Sequence, residues 1–181
     1  MSEPTNAGIE APLQVDLTPT MTGPFGFGRI PVAKVWPVIE GGAYPAKAVV
    51  GELIPIRAKV FREGHDAVNA SVILTSPEGV ESRTDMTPGA IAGLDEWEAW
   101  VRPDSEGSWT FRVEGWSDPW GTWHHNAEAK LAAGIDLELV CLEGRDLFER
   151  TAANADAAGE PVEASILRTT AQLLIPQRTA S

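Results

Sequence analysis

The chain has 181 residues, with 14 Lys and Arg against 26 Asp and Glu, a formal charge of −12 at pH 7, and a single cysteine, Cys141. That length accommodates one domain with an appendage and excludes a (β/α)₈ barrel, which needs about 250 residues. The acidic balance opposes polyphosphate backbones and anionic lipid, so neither nucleic acid nor a membrane is an expected partner. One thiol excludes an internal disulfide and fits a cytoplasmic setting. The first basic residue is Arg29 and no apolar run follows a cationic one near the N-terminus, so neither a signal peptide nor a membrane span is read.

Residues 1–27 hold Pro4, Pro12, Pro19 and Pro24 without a sustained hydrophobic period, and read as a disordered leader. Residues 28–123 alternate short β-rich runs with turn residues, which predicts a mainly β fold, an immunoglobulin-like antiparallel β-sandwich of six or seven strands. The first run, Ile30 to Val38, places Ile30, Val32, Lys34, Trp36 and Val38 on one face, and Pro31 and Pro37 make it an edge strand. Leu53 to Phe61 alternates with a period of two, Ile54, Ile56, Ala58 and Val60 forming the face to be buried. Ser71 to Thr75 follows, closed by the turn Ser76-Pro77-Glu78-Gly79. Glu81 to Thr87 and Glu96 to Val101 are weaker strands around Pro88-Gly89. Ser108 to Trp116 then sets Trp109, Phe111, Val113 and Gly115 on one face.

Residues 124–181 change to a period near 3.6 and predict an α-helical segment, the start of a larger helical region. Asp136 is a candidate cap for a helix with Leu137, Val140, Cys141, Leu147 and Phe148 on its apolar side, a stripe that Gly144 weakens by about 1 kcal/mol relative to Ala. A second helix begins at Pro161 and spaces Val162, Ile166, Thr170 and Leu173 along one side before Pro176 stops it. Both helices are amphipathic and need a surface to lie on. A two-helix tail buries little by itself, so the chain is expected to be truncated.

No catalytic constellation emerges: there is no phosphate loop, no Gly-x-Ser-x-Gly elbow and no Cys-x-x-Cys pair. His124 and His125 are adjacent and point apart on either a helix or a strand, which is poor geometry for one metal, so one is expected packed and the other solvated. His65 lies in the polar turn Arg62-Glu63-Gly64-His65-Asp66, where a self-bonded turn outweighs a general base. The carboxylates form no recognisable pair for glycoside hydrolysis and read as a solvated acidic surface. No catalytic residue, metal or cofactor is therefore expected, and the chain alone is expected to be inactive.

Six of the seven tryptophans, Trp97, Trp100, Trp109, Trp116, Trp120 and Trp123, fall between residues 97 and 123. Trp109 belongs to the apolar face of the last strand. Trp116, Trp120 and Trp123 surround Ser117-Asp118-Pro119 and Gly121 at the exit from the sheet, where they are candidates to stack on sugar rings or to pack against a helix or another subunit. Packing is the default for large aromatics.

Several strings carry a family resemblance: Gly28–Val32 (GRIPV), Tyr44–Ala48 (YPAKA), Val60–Val68 (VFREGHDAV), Glu114–Pro119 (EGWSDP), Thr122–His125 (TWHH) and Lys130–Asp136 (KLAAGID). Together they resemble the N-terminal region of the α-1,4-glucan:maltose-1-phosphate maltosyltransferases, members of the α-amylase superfamily. Leu131-Ala132 departs from that pattern, where Ile-Pro is expected, and the resemblance fades after Thr151. It implies a non-catalytic β-sandwich and the start of a helical region, preceding a catalytic (β/α)₈ barrel that carries the nucleophile and the acid/base carboxylate. It further implies that this region supports the barrel of the same parent chain and forms a homodimer. A stand-alone α-glucan-binding module built on Trp116, Trp120 and Trp123 is the alternative.

Overall fold

A computed structural model describes residues 14–19, 29–91 and 93–174. The chain divides into two units, one built from the strands up to Arg62 and over Val68–Trp116, the other from Glu63–Ala67 and the chain from Ser117 onward. The helical grammar therefore begins a few residues before the expected boundary at residue 124.

The first unit is a two-sheet sandwich. Its strands are β1 (Gln14–Pro19), β2 (Val32–Trp36), β3 (Ala46–Val49), β4 (Ile54–Val60), β5 (Val68–Thr75), β6 (Glu81–Asp85), β7 (Thr87–Pro88), β8 (Glu96–Val101) and β9 (Gly107–Ser117). One sheet has the order β3-β1-β9-β5-β6 and the other β2-β4-β8-β7. β4 follows its sequence pattern closely: Ile54, Ile56, Ala58 and Val60 are all buried. They meet Trp97, Ala99 and Val101 of β8, and from the other sheet Leu17, Val72, Leu74, Trp109 and Phe111, in one apolar core. Both core indoles satisfy their N–H: Trp97 Nε1 donates to the Val60 carbonyl at 3.0 Å and Trp109 Nε1 to that of Ser105 at 3.0 Å. Gly115 has a packing role in β9, since a Cβ there would lie 2.6 Å from Val60 Cγ1 and 2.8 Å from Ile30 Cγ2.

Three expectations are corrected. Gln14–Pro19, assigned to a disordered leader, is a strand between β3 and β9 with Leu17 in the core; the rest of residues 1–27 lies outside the described residues. Its pairing with β9 is parallel, so the sandwich is not wholly antiparallel. β2 is an edge strand as read, but a register shift between Ala33 and Trp36, with Lys34 at φ +49°, breaks its alternation. Val35 therefore packs against the core and Trp36 faces out.

The second unit has three helices, α1 (Pro119–Ala133), α2 (Leu137–Ala158) and α3 (Pro161–Leu173). Helix α1 was not anticipated, although its start is well specified. Asp118 accepts from the Gly121 N–H at 2.8 Å as N-cap and Pro119 occupies the first turn. Gly134, at φ +69°, ends it. Asp136 precedes α2 but makes no side-chain cap; it is in the left-handed region, and its carboxylate lies 3.7 Å from Lys130 Nζ. Helices α2 and α3 meet through Ala152, Ala155 and Ala164, with Leu167 beside them, small side chains that let the backbones approach. An Arg168–Asp156 ion pair sits at their edge.

Helix α3 also departs from its reading. Its buried residues are Ala164 and Ala171, whereas the stripe predicted to pack is left out: Val162 is 66 % exposed, Ile166 61 % and Leu173 77 %. Among the described residues no helix is long and apolar enough to cross a membrane.

Candidate functional site

The tryptophans singled out above fall into two settings. Trp120 and Trp123 come together on α1, their ring centroids 5.3 Å apart and their planes inclined by 43°. Phe148 of α2 meets the edge of both, 5.3 Å from Trp120 and 6.1 Å from Trp123. Trp123 is also anchored at its N–H, which donates to the Val140 carbonyl at 3.0 Å. Its indole lies over Gly144, so this pair packs α1 on α2. Trp116 belongs to β9 in the other unit, and its Nε1 donates to Ser71 Oγ at 3.2 Å.

Both histidines of the adjacent pair are exposed, a correction to the expectation that one is packed. His124 lies against the Trp120 ring at 5.7 Å, with Nδ1 3.8 Å from Glu128 Oε2. His65 is exposed in a bend. Among the described residues no group of three or more His, Cys, Asp or Glu side chains is arranged to hold a metal ion.

The string Val60–Val68 and the string Glu114–Pro119 meet at the start of α1. The Ala67 N–H donates to Thr122 Oγ1 at 2.8 Å, and the Asp118 N–H donates to the Ala67 carbonyl at 2.9 Å. Thr122 Oγ1 in turn donates to the Asp118 carbonyl at 2.8 Å. A Cβ at Gly121 would come within 2.6 Å of the Asp118 carboxylate. The most specific strings of the sequence thus position a helix start, which is architecture.

On the outer face of β9, β5 and β6, Arg112 grips Glu81 with two bonds of 2.6 and 3.1 Å and reaches Glu114 at 2.8 Å. These bonds hold the Glu81 carboxyl below its usual range and raise the Arg112 guanidinium further. Because the folded-state value of Glu81 is depressed, its contribution is present above the ordinary carboxylate range and is lost as pH falls through the lower folded value. Glu81→Gln is expected to lose less stability than the parent chain on acidification, read as the urea midpoint against pH. Parallel acid limbs for the two proteins would refute this.

A further gathering of exposed aromatic and charged side chains lies on the outer face of the β2-β4-β8-β7 sheet, and the sequence reading missed it. Trp36 stands opposite Arg57, Arg57 opposite Glu98, and Glu98 opposite Thr87, one residue from each strand in a row. The Arg57 guanidinium sits 5.8 Å from the Trp36 ring centroid and pairs with the Glu98 carboxylate. Glu98 Oε1 also accepts from Trp100 Nε1 at 3.1 Å. Trp36 is 46 % exposed and Trp100 51 %, although both carry large apolar rings. A cleft of about 560 Å³ opens beside this row, lined also by Lys34, Lys59, Ile91 and Glu96. Glu96, Glu98 and Trp100 alternate with the buried Trp97, Ala99 and Val101, so an indole on the polar face of β8 was a readable signal. Trp36 was not readable, because the register shift in β2 decides its side.

Residues 28–180 match the family described as alpha-1,4-glucan:maltose-1-phosphate maltosyltransferase, domain N/S. Maltosyltransferase 2 of Streptomyces coelicolor is 51 % identical over 133 residues, covering 74 % of this chain and 20 % of that protein. The maltosyltransferase of Corynebacterium pseudotuberculosis is 44 % identical over 131 residues, 71 % of this chain and 19 % of that protein. That of Mycobacterium tuberculosis (strain H37Rv) is 39 % identical over 150 residues, 69 % of this chain and 21 % of that protein. The chain thus aligns with about a fifth of the length of these relatives.

Proposed function

The chain belongs to the N/S-domain family of the alpha-1,4-glucan:maltose-1-phosphate maltosyltransferases, and from that premise we propose that it is the non-catalytic N-terminal region of such an enzyme, acting in homodimerisation and in support of the catalytic barrel. The parent enzyme transfers maltosyl units from maltose 1-phosphate to α-1,4-glucans, and works in the cytoplasm. The lone Cys141 favours that compartment, because a structure that relies on no disulfide loses nothing in reducing conditions.

One observation carries the dimerisation reading: the exposed row Val162, Ile166 and Leu173 on α3. Three large aliphatic side chains on one helix face gain little from water, and covering each fully is worth about 1.5–3 kcal/mol. The face that α3 does bury, Ala164 and Ala171, is already used within the unit. A second subunit, laying its own copy of this stripe against it across a two-fold axis, is the occupant this reading assigns.

Sedimentation velocity tests this. The chain is expected to sediment as a dimer, and the variant V162E/I166E/L173E as a monomer with unchanged helix content. A monomer for the parent chain across the accessible concentration range would overturn the proposal. The non-catalytic part is checked separately: the chain with maltose 1-phosphate and a maltooligosaccharide is expected to release no phosphate.

A further inference from the structure

We propose that the outer face of β2, β4 and β8, from the cleft beside Trp36 across the Arg57–Glu98 row to Trp100 outside that cleft, is a binding surface for a neutral oligosaccharide, an α-1,4-glucan, whose pyranose rings stack on Trp36 and Trp100 while its hydroxyls bond to Arg57 and Glu98. The identity of the glucan rests on the family reading above; the stacking site does not.

The geometry has three parts. First, two indoles of one sheet face are presented to solvent, on strands separated by β4. With strands about 4.8 Å apart and a rise of about 3.4 Å per residue, Trp36 and Trp100, offset by two residues, stand roughly 12 Å apart, the reach of a short oligosaccharide rather than of a monosaccharide. Second, the groups between them are held in place. Arg57 is fixed by the Trp36 ring on one side and by Glu98 on the other, and Glu98 is fixed again by the Trp100 N–H. Little side-chain freedom is left to lose when a ligand arrives, which lowers the cost of binding. Third, the polar groups come as opposite charges in register, Arg57 with Glu98 and Lys59 with Glu96, the latter pair 4.0 Å apart.

Paired charges present donors and acceptors side by side without a strong net field. That arrangement suits vicinal hydroxyls, which both donate and accept, better than a phosphate or carboxylate, which only accepts. The −12 charge of the chain also works against polyanions. An indole face offers a flat apolar surface, and a pyranose ring offers a matching face of C–H groups. A polymer with flat apolar faces and hydroxyl edges fits both the indoles and the charged row of this sheet face, and an apolar peptide would leave Arg57 and Glu98 without use.

The test is a titration of the ¹⁵N-labelled chain with maltoheptaose, followed at the indole N–H resonances and assigned with Trp36→Phe and Trp100→Phe. Saturable shifts of the Trp36 and Trp100 signals are expected at millimolar ligand. Trp36→Ala and Trp100→Ala are each expected to weaken binding about tenfold or more, and Trp120→Ala to leave it unchanged. Glu98→Gln keeps the size of the side chain and is expected to weaken binding while the far-UV circular dichroism stays the same. The proposal is overturned if neither resonance moves at about 10 mM ligand, a concentration that would reveal even a weak site. It is equally overturned if shifts appear but persist in Trp36→Ala and Trp100→Ala, or if cellohexaose binds in place of maltoheptaose. The dimerisation reading is judged by sedimentation, so either can fail while the other stands.

Discussion

Phe111→Ala is expected to destabilise the sandwich unit by about 4 kcal/mol, within the range of about 3–5 kcal/mol for emptying a buried phenyl site. Phe111 is the largest of the side chains that the fold buries almost completely, with 1 % of its surface exposed. It projects from β9 into the core shared by the two sheets, where Ile56, Val72 and Ala99 belong to the same cluster. Strands in hydrogen-bonded register cannot collapse into the vacated space as freely as a loop, so the cavity remains. Against a net stability of about 5–15 kcal/mol for an ordinary domain, the loss is large. Urea denaturation followed by near-UV circular dichroism checks it: the midpoint should fall strongly with little change in slope. A shift corresponding to less than about 1 kcal/mol would mean that the two sheets do not close over this position.

Gly144→Ala carries the second large effect, with a sign opposite to that of helix propensity. In the interior of a helix Ala is favoured over Gly by about 1 kcal/mol, so the sequence alone predicts a more stable α2. In the fold, a Cβ at this position would lie 2.7 Å from Trp123 Cε2 and 2.9 Å from Leu174 Cδ1. The indole cannot swing aside without giving up the Val140 carbonyl and its edge contact with Phe148. Overpacking of this kind costs about 1–3 kcal/mol and outweighs the propensity gain. Gly144→Ala is therefore expected to lower the thermal midpoint of the helical signal, and Gly144→Val to lower it further. A raised midpoint for Gly144→Ala would show that α1 and α2 are not packed through Trp123. The double variant Gly144→Ala/Trp123→Leu is expected to recover part of the loss, since the smaller side chain leaves room for the methyl group.

The aromatic cluster and the exposed indoles of the sheet face differ in how far they could be read in advance. The crowding of Trp116, Trp120 and Trp123 marked the exit from the sheet, and that is where α1 begins. The surroundings of Trp120 and Trp123 were beyond reach, because Phe148, Val140 and Gly144 lie about 20 residues further along the chain and come close only through helix packing. Trp100 was accessible in principle through the alternation of β8. Trp36 was not, since its side depends on a bulge formed against β4.

What the amino-acid order determined by itself is local. The two-residue period of β4, the strand boundaries of β8 and the start of α3 at Pro161 are set by side chains and dihedral preferences within a few residues, and they appear in the structure as read. The family strings belong to the same class, since their specificity lies in contiguous residues. Only the tertiary structure decided which faces found a partner. Leu17 enters the core because β3 and β9 flank its strand; Gly144 is required because an indole from α1 rests on it. Val162, Ile166 and Leu173 stay in solvent because α3 approaches α2 through its alanines instead. Each of these depends on contacts between residues distant in the chain, and a hydrophobic period records that a face is apolar without recording what will cover it.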